Sequence, residues 1–140
     1  MDIRRITDEL SVTPQICAGD VAVIAAAGFR AVICNRPDGE SSDQPCCREI
    51  EEAVKASGLA WRSQPVRSGG VTREDAQVFA ALMAELPKPV LAYCRSGTRC
   101  AMLWSLSQAG SRPLADILAR TQAAGYDMTA TMGQPISPPP

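Results

Sequence analysis

The sequence predicts an α/β fold: a single domain with a mostly parallel central sheet covered by helices. Three observations carry that expectation. Short apolar runs, such as Phe29 to Cys34 and Val90 to Tyr93, alternate with longer segments of helical periodicity. Gly, Pro, Asn and Asp punctuate the connections between them. The chain has 140 residues, enough for one sizeable core but not comfortably for two. Strands alternating with helices at this spacing form βαβ units, whose crossovers place helices over a parallel sheet.

The elements follow in order. Leu10-Ser11-Val12 alternates as a short edge strand, and Thr13-Pro14 stops it. Asp20 is placed to cap a helix over Val21 to Ala27, which Gly28 ends. The nearly continuous apolar character of that helix implies deep packing. Phe29 to Cys34 is a second strand, broken by the turn residues Asn35-Arg36-Pro37-Asp38-Gly39-Glu40. Residues 46–57 form an amphipathic helix with Ile50, Ala53 and Val54 on one face. Leu59 to Val66 reads as a third strand, followed by the flexible loop Arg67-Ser68-Gly69-Gly70. Thr72 and Asp75 make a capping-box-like start for a helix to about Leu86, with Val78, Leu82 and Leu86 on one face. Val90 to Tyr93 is the central strand. A helix from about Cys100 ends at Gly110-Ser111-Arg112-Pro113, and another runs from Leu114 to Ala124 with Ile117 and Leu118 inward. The domain thus occupies residues 1–130, and residues 131–140 form a Pro-rich tail expected to be disordered.

Composition narrows the chemistry. The net charge is −1 with no basic block, so a nucleic-acid partner is not expected. There is no histidine, which excludes Ser-His-Asp triads, Cys-His pairs and His-dependent metal sites. No metal and no cofactor are expected. Six cysteines invite a disulfide reading, but no secretory leader pattern opens the sequence and no apolar run approaches the ~20 residues of a transmembrane segment. A cytoplasmic, reducing location is the expectation.

The chemistry centres on Tyr93-Cys94-Arg95-Ser96-Gly97-Thr98-Arg99-Cys100. A strand followed by a tight loop and a helix start presents inward backbone N–H groups, which cradle anions. The same field favours a thiolate. Cys94 is therefore the candidate nucleophile, with Arg99 beside it as a candidate catalytic group. Arg95, Ser96, Gly97 and Thr98 are candidates for binding the anion. The alternative is that Cys94 is a small buried hydrophobe, which would not call for two arginines and a glycine in the next five residues. Arg36 and Asp38 lie at another strand's carboxyl end and either contact substrate or form a self-contained polar turn. Cys100 is either a redox partner of Cys94 or a small residue packing into the helix–sheet contact.

Residues 33–39, Gly69-Gly70-Val71-Thr72 and Leu91 to Arg99 together resemble the bacterial beta-lactamase-hydrolase-like phosphatase domain family, also described as rhodanese-like sulfur transferases. The resemblance covers roughly residues 1–110. It implies a dual-specificity-phosphatase-like fold. It also implies a setting in sulfide metabolism, with a persulfide dioxygenase or a sulfide:quinone oxidoreductase as fusion or partner. Cysteine phosphatases in this resemblance have Cys-x5-Arg, whereas Cys94 to Arg99 is Cys-x4-Arg, as in rhodanese loops. The expectation drawn from loop length is a sulfurtransferase. It would move sulfur from a small anionic donor, such as thiosulfate or a persulfide, through a Cys94 persulfide to a thiol acceptor. The alternatives are a phosphatase acting through phosphocysteine and a non-catalytic persulfide- or anion-binding module.

Overall fold

The computed structural model describes residues 1–133. Its strands are β1 (Arg4–Arg5), β2 (Leu10–Thr13), β3 (Ala31–Cys34), β4 (Ala60–Ser63) and β5 (Val90–Tyr93). They form one sheet in the order β1-β2-β5-β3-β4. β1 runs antiparallel to β2, and the other three pairings are parallel. The helices are α1 (Val21–Ala26), α2 (Cys47–Ala56), α3 (Arg73–Glu85), α4 (Thr98–Gln108), α5 (Leu114–Ala123) and α6 (Thr129–Gly133). The single α/β domain with a mostly parallel sheet is as the sequence predicts.

β5 is buried along its whole length because both faces of the sheet are covered. Its side chains alternate between two cores. Val90, Ala92 and then Cys94 join Phe79 of α3, Leu103 of α4 and Ile117 of α5. Leu91 and Tyr93 join Ile24 of α1 and Ile50 and Val54 of α2. Each buried Val, Leu, Ile or Phe among them contributes about 1.5–3 kcal/mol. The alternation therefore fixes which face of the sheet Cys94 occupies.

Several elements differ from expectation. Leu10–Thr13 is no edge strand: β1, which has too few residues to leave a periodic signal, covers its outer side. The third strand ends at Ser63, and Gln64 and Val66 continue as extended chain bonded to the end of β3. α1 buries only Val21 and Ile24, while Val23 is exposed, so its apolar run does not imply deep packing. Asp20 caps a 3₁₀ turn over Ala18–Asp20, accepting from the Cys17 N–H at 2.9 Å, and makes no cap bond to α1. On α3 and its C-cap, Leu82 and Leu86 pack inward as expected and are joined by Ala76 and Phe79, but Val78 faces out. α6 starts at Thr129 and crosses the expected boundary at residue 130. The rest of the Pro-rich tail lies outside the described residues.

Candidate active site

The site forms beyond the carboxyl ends of the parallel strands, where backbone groups are free to face a ligand. β5 delivers Cys94, and α4 begins only four residues later, at Thr98. The helix therefore starts inside the motif, two residues earlier than its apolar pattern indicates. Gly97 stands at the N-cap with φ +89°, a conformation that costs other residues a Cβ clash. That turn sends the Gly97 N–H to the Cys94 Sγ at 3.1 Å.

The Cys94 thiol is held down at about pKa 5. The largest cause is a hydrogen bond from the Cys100 side chain, which outweighs the opposing effect of burial. The backbone N–H groups of Cys100, Arg99 and Ser96 add to it. The Cys100 thiol is itself pushed well up by burial and by the neighbouring Cys94. The helix-terminal amides expected from the sequence thus contribute, and Cys100, which the sequence does not single out for this role, contributes more. All six cysteines are free thiols.

Arg99 is buried and turned to Glu40. Its Nη1 and Nη2 donate to Glu40 Oε2 and Oε1, both at 2.8 Å, and Nη1 also donates to the Val66 carbonyl at 2.9 Å. Two of its five donors, on Nε and Nη2, have no partner among the described residues. Glu40 is held at about pKa 2, first by the Arg99 hydrogen bonds and then by Arg36. Arg36, also buried, donates from Nε to Glu40 Oε1 at 2.9 Å and from Nη1 to Gln15 Oε1 at 3.0 Å. Gln15 in turn donates its backbone N–H to the Arg95 carbonyl at 3.2 Å.

The expected site residues thus separate. Cys94, Ser96, Gly97, Thr98, Arg99 and Cys100 are brought together in the loop and the first turn of α4. Arg95 lies exposed beside them, and its side chain makes no hydrogen bond among the described residues. Arg36 is buried beside them, its Nε and Nη1 donating to Glu40 and Gln15. Asp38 lies exposed, and its Oδ1 accepts from the Cys47 N–H at 2.8 Å at the start of α2. Asp75 is likewise committed, completing a capping box with Thr72. Glu40, Gln15 and Tyr126, whose hydroxyl donates to the Ser96 carbonyl at 3.0 Å, escape the sequence reading. Glu40 left one signal, an acid four residues after a buried arginine, but it stands in a loop where no periodicity singles it out.

Comparison with known proteins places the chain. The family described as beta-lactamase hydrolase-like protein, phosphatase-like domain, matches residues 2–111. A beta-lactamase hydrolase-like protein of Agrobacterium fabrum is 34% identical over 128 residues, which is 90% of this chain and 30% of that protein. One from Xylella fastidiosa Temecula1 is 33% identical over 130 residues, again 30% of its length. This chain therefore spans less than a third of these curated relatives. A crystal structure from Neisseria meningitidis Z2491, provisionally named a phosphatase, superposes with a TM-score of 0.86 at 34% identity, covering 95% of this chain and 96% of that one. Tk-PTP in its active form shares the fold alone, with a TM-score of 0.69 at 16% identity over 94% of this chain and 92% of its own. No helix among the described residues is long and apolar enough to cross a membrane. From residue 2 to residue 111, by sequence and by fold, the chain belongs to the beta-lactamase hydrolase-like, phosphatase-like domain family.

Proposed function

We propose that this domain is a cysteine-dependent phosphatase with Cys94 as nucleophile. The observation that carries the reading is a Cys94 thiol at about pKa 5 inside a loop of inward N–H groups at a helix N-terminus. Family membership and the phosphatase names of its structural neighbours support it. They give no support to sulfur transfer, and the expectation drawn from loop length gives way. The four-residue spacer remains the one feature on the side of sulfur transfer, and it decides what the test must distinguish.

In the proposed reaction the Cys94 thiolate attacks the phosphorus of a phosphate monoester. The S–P bond forms as the P–O bond to the leaving group breaks, and the leaving oxygen departs with the electron pair and takes a proton from water. A second water then attacks phosphorus, releasing inorganic phosphate and returning the thiolate. The loop N–H groups and the Nε–Nη2 edge of Arg99 offer donors to the phosphoryl oxygens. Asp38, Asp75 and Asp127 each accept from a backbone N–H at a helix start. Substrates whose leaving groups need no protonation, such as aryl phosphates, therefore fit this site best.

The test is p-nitrophenyl phosphate turnover, with intact mass spectrometry after acid quench. The expected result is hydrolysis that Cys94→Ser abolishes and a phosphoryl group trapped on Cys94. A wild-type protein that turns over no aryl phosphate, but gains one sulfur on Cys94 from thiosulfate, would overturn the reading.

A further inference from the structure

Tyr126 lies beyond residue 111, where the family match ends, yet it reaches back to the centre of the loop. Its position is set by the end of α5. Gly125 adopts φ +95°, and the Tyr126 N–H then bonds back to the Thr121 carbonyl at 2.8 Å. Arg4 of β1 steadies it from the other side. The guanidinium stacks 5.4 Å from the ring centre and donates to the Ala124 carbonyl at 3.0 Å. The ring is 7% exposed, so its hydroxyl, if left without a partner, would be costly.

That hydroxyl donates to the Ser96 carbonyl, and the same peptide unit carries the Gly97 N–H that meets Cys94 Sγ. In a trans peptide the C=O and the N–H point in opposite directions. Holding the carbonyl outward therefore aims the N–H inward. A Cβ on Gly97 would collide with the Tyr126 hydroxyl, so the ring occupies the space behind the loop. Burial lifts the phenol to about pKa 12, and it remains a donor wherever Cys94 is a thiolate at neutral pH.

We infer that Tyr126 is a positioning residue for the anion loop, fixing the Ser96–Gly97 peptide so that its N–H stabilises the Cys94 thiolate and a bound oxyanion. Its effect on turnover rests on the phosphatase reading; its effect on the thiolate does not.

The experiment compares wild type with Tyr126→Phe, which keeps the ring and removes the hydroxyl. Alkylation of the Cys94 peptide by iodoacetamide, followed by mass spectrometry across pH, gives the Cys94 midpoint. Tungstate titration gives oxyanion affinity. The loss of one neutral hydrogen bond corresponds to about a two- to tenfold effect. The midpoint should therefore rise by about 0.4–1 pH unit and tungstate affinity should fall about two- to tenfold. A folded Tyr126→Phe protein with the wild-type midpoint and affinity overturns the inference, whatever the turnover. A moved midpoint in a protein that hydrolyses no aryl phosphate sinks the phosphatase reading and leaves the inference standing. Should Tyr126→Phe fail to fold, the wild-type Gly97 amide resonance answers instead. It should titrate with the Cys94 midpoint, and an amide indifferent to that titration overturns the inference.

Discussion

Glu40 and Arg99 face each other with two parallel hydrogen bonds of 2.8 Å, although 59 residues separate them in the chain. Glu40 stands in the loop after β3, and Arg99 in the first turn of α4. The pair bridges the two connections that flank the Cys94 loop. With Arg36 on the other side of Glu40, two buried guanidinium groups share one carboxylate.

Removing that carboxylate should be costly. Glu40→Gln leaves the buried Arg36 and Arg99 without their shared counter-charge; Glu40 itself faces solvent, so the loss should be about 1.5–3 kcal/mol of stability, the worth of a hydrogen bond to a charged group. Urea unfolding at neutral pH measures it. Arg99 would also lose its orientation, and aryl phosphate turnover should fall about 10²-fold. A loss of stability under ~1 kcal/mol, the range of exposed pairs, would show that the network is not the buried one described.

The same pair sets an acid limit. The Glu40 carboxyl sits at about 2 in the folded protein against 4.5 for the ordinary group. A depressed carboxyl contributes stability in full above the unfolded value and loses it as pH falls through the folded one. Melting temperature should therefore drop between pH 4.5 and about 2. In Glu40→Gln this part of the drop should vanish, and an unchanged profile would contradict the assignment.

Cys100 should govern the pH dependence of Cys94. In wild type the alkylation rate and the turnover should rise through about pH 5, as Cys94 ionises. Cys100→Ala removes the donor that lowers that value most, so the acid limb should move to higher pH. Cys100→Ser keeps a donor and should move it less. Equal profiles in all three proteins would leave the amides as the sole cause.

Gly97→Ala should damage the loop by two routes. The residue's φ of +89° costs an alanine about 1–2 kcal/mol, and the new methyl meets Tyr126. Thermal melts of Gly97→Ala, alone and with Tyr126→Phe, separate the two. The double variant should recover the clash with the hydroxyl but not the backbone strain.

Leaving-group chemistry should show in substrate choice. A positioned general acid is worth about 10²–10⁴-fold on a poor leaving group. With Asp38, Asp75 and Asp127 committed to caps, kcat/KM for aryl phosphates should exceed that for alkyl phosphates by about that factor. Equal rates on both would reveal an acid among the other carboxyls.

The sheet order was not readable, but its class was, because β3 and β5 are buried on both faces and leave continuous apolar runs. β1 was invisible, since Arg4 and Arg5 pair with β2 through backbone alone. Val78 and Val23 misled because apolar residues also stand on exposed helix faces, and periodicity gives no sign of which face meets the sheet. In the site, Cys94 to Cys100 was legible because its residues are contiguous. The side chains that hold it were not: Gln15, Glu40 and Tyr126 come from three distant connections, and only the fold brings them to one place. Arg36 and Arg99 were visible as charges, yet their shared neutralisation by Glu40 was not, since ion pairs across loops leave no spacing to count.

The division of β5 between two cores makes the reactivity of this domain a matter of odd and even. Cys94 shares a face with Ala92 and Val90, and Tyr93 shares the opposite one with Leu91. One residue inserted between Val90 and Tyr93 would exchange those sets and turn the thiol toward α1 and α2, away from the start of α4. Two inserted residues would restore the face while displacing the loop by one strand repeat, about 7 Å. Length variation can therefore accumulate in the exposed turn after Glu40, but within β5 a single added codon separates the thiol from the amides that ionise it.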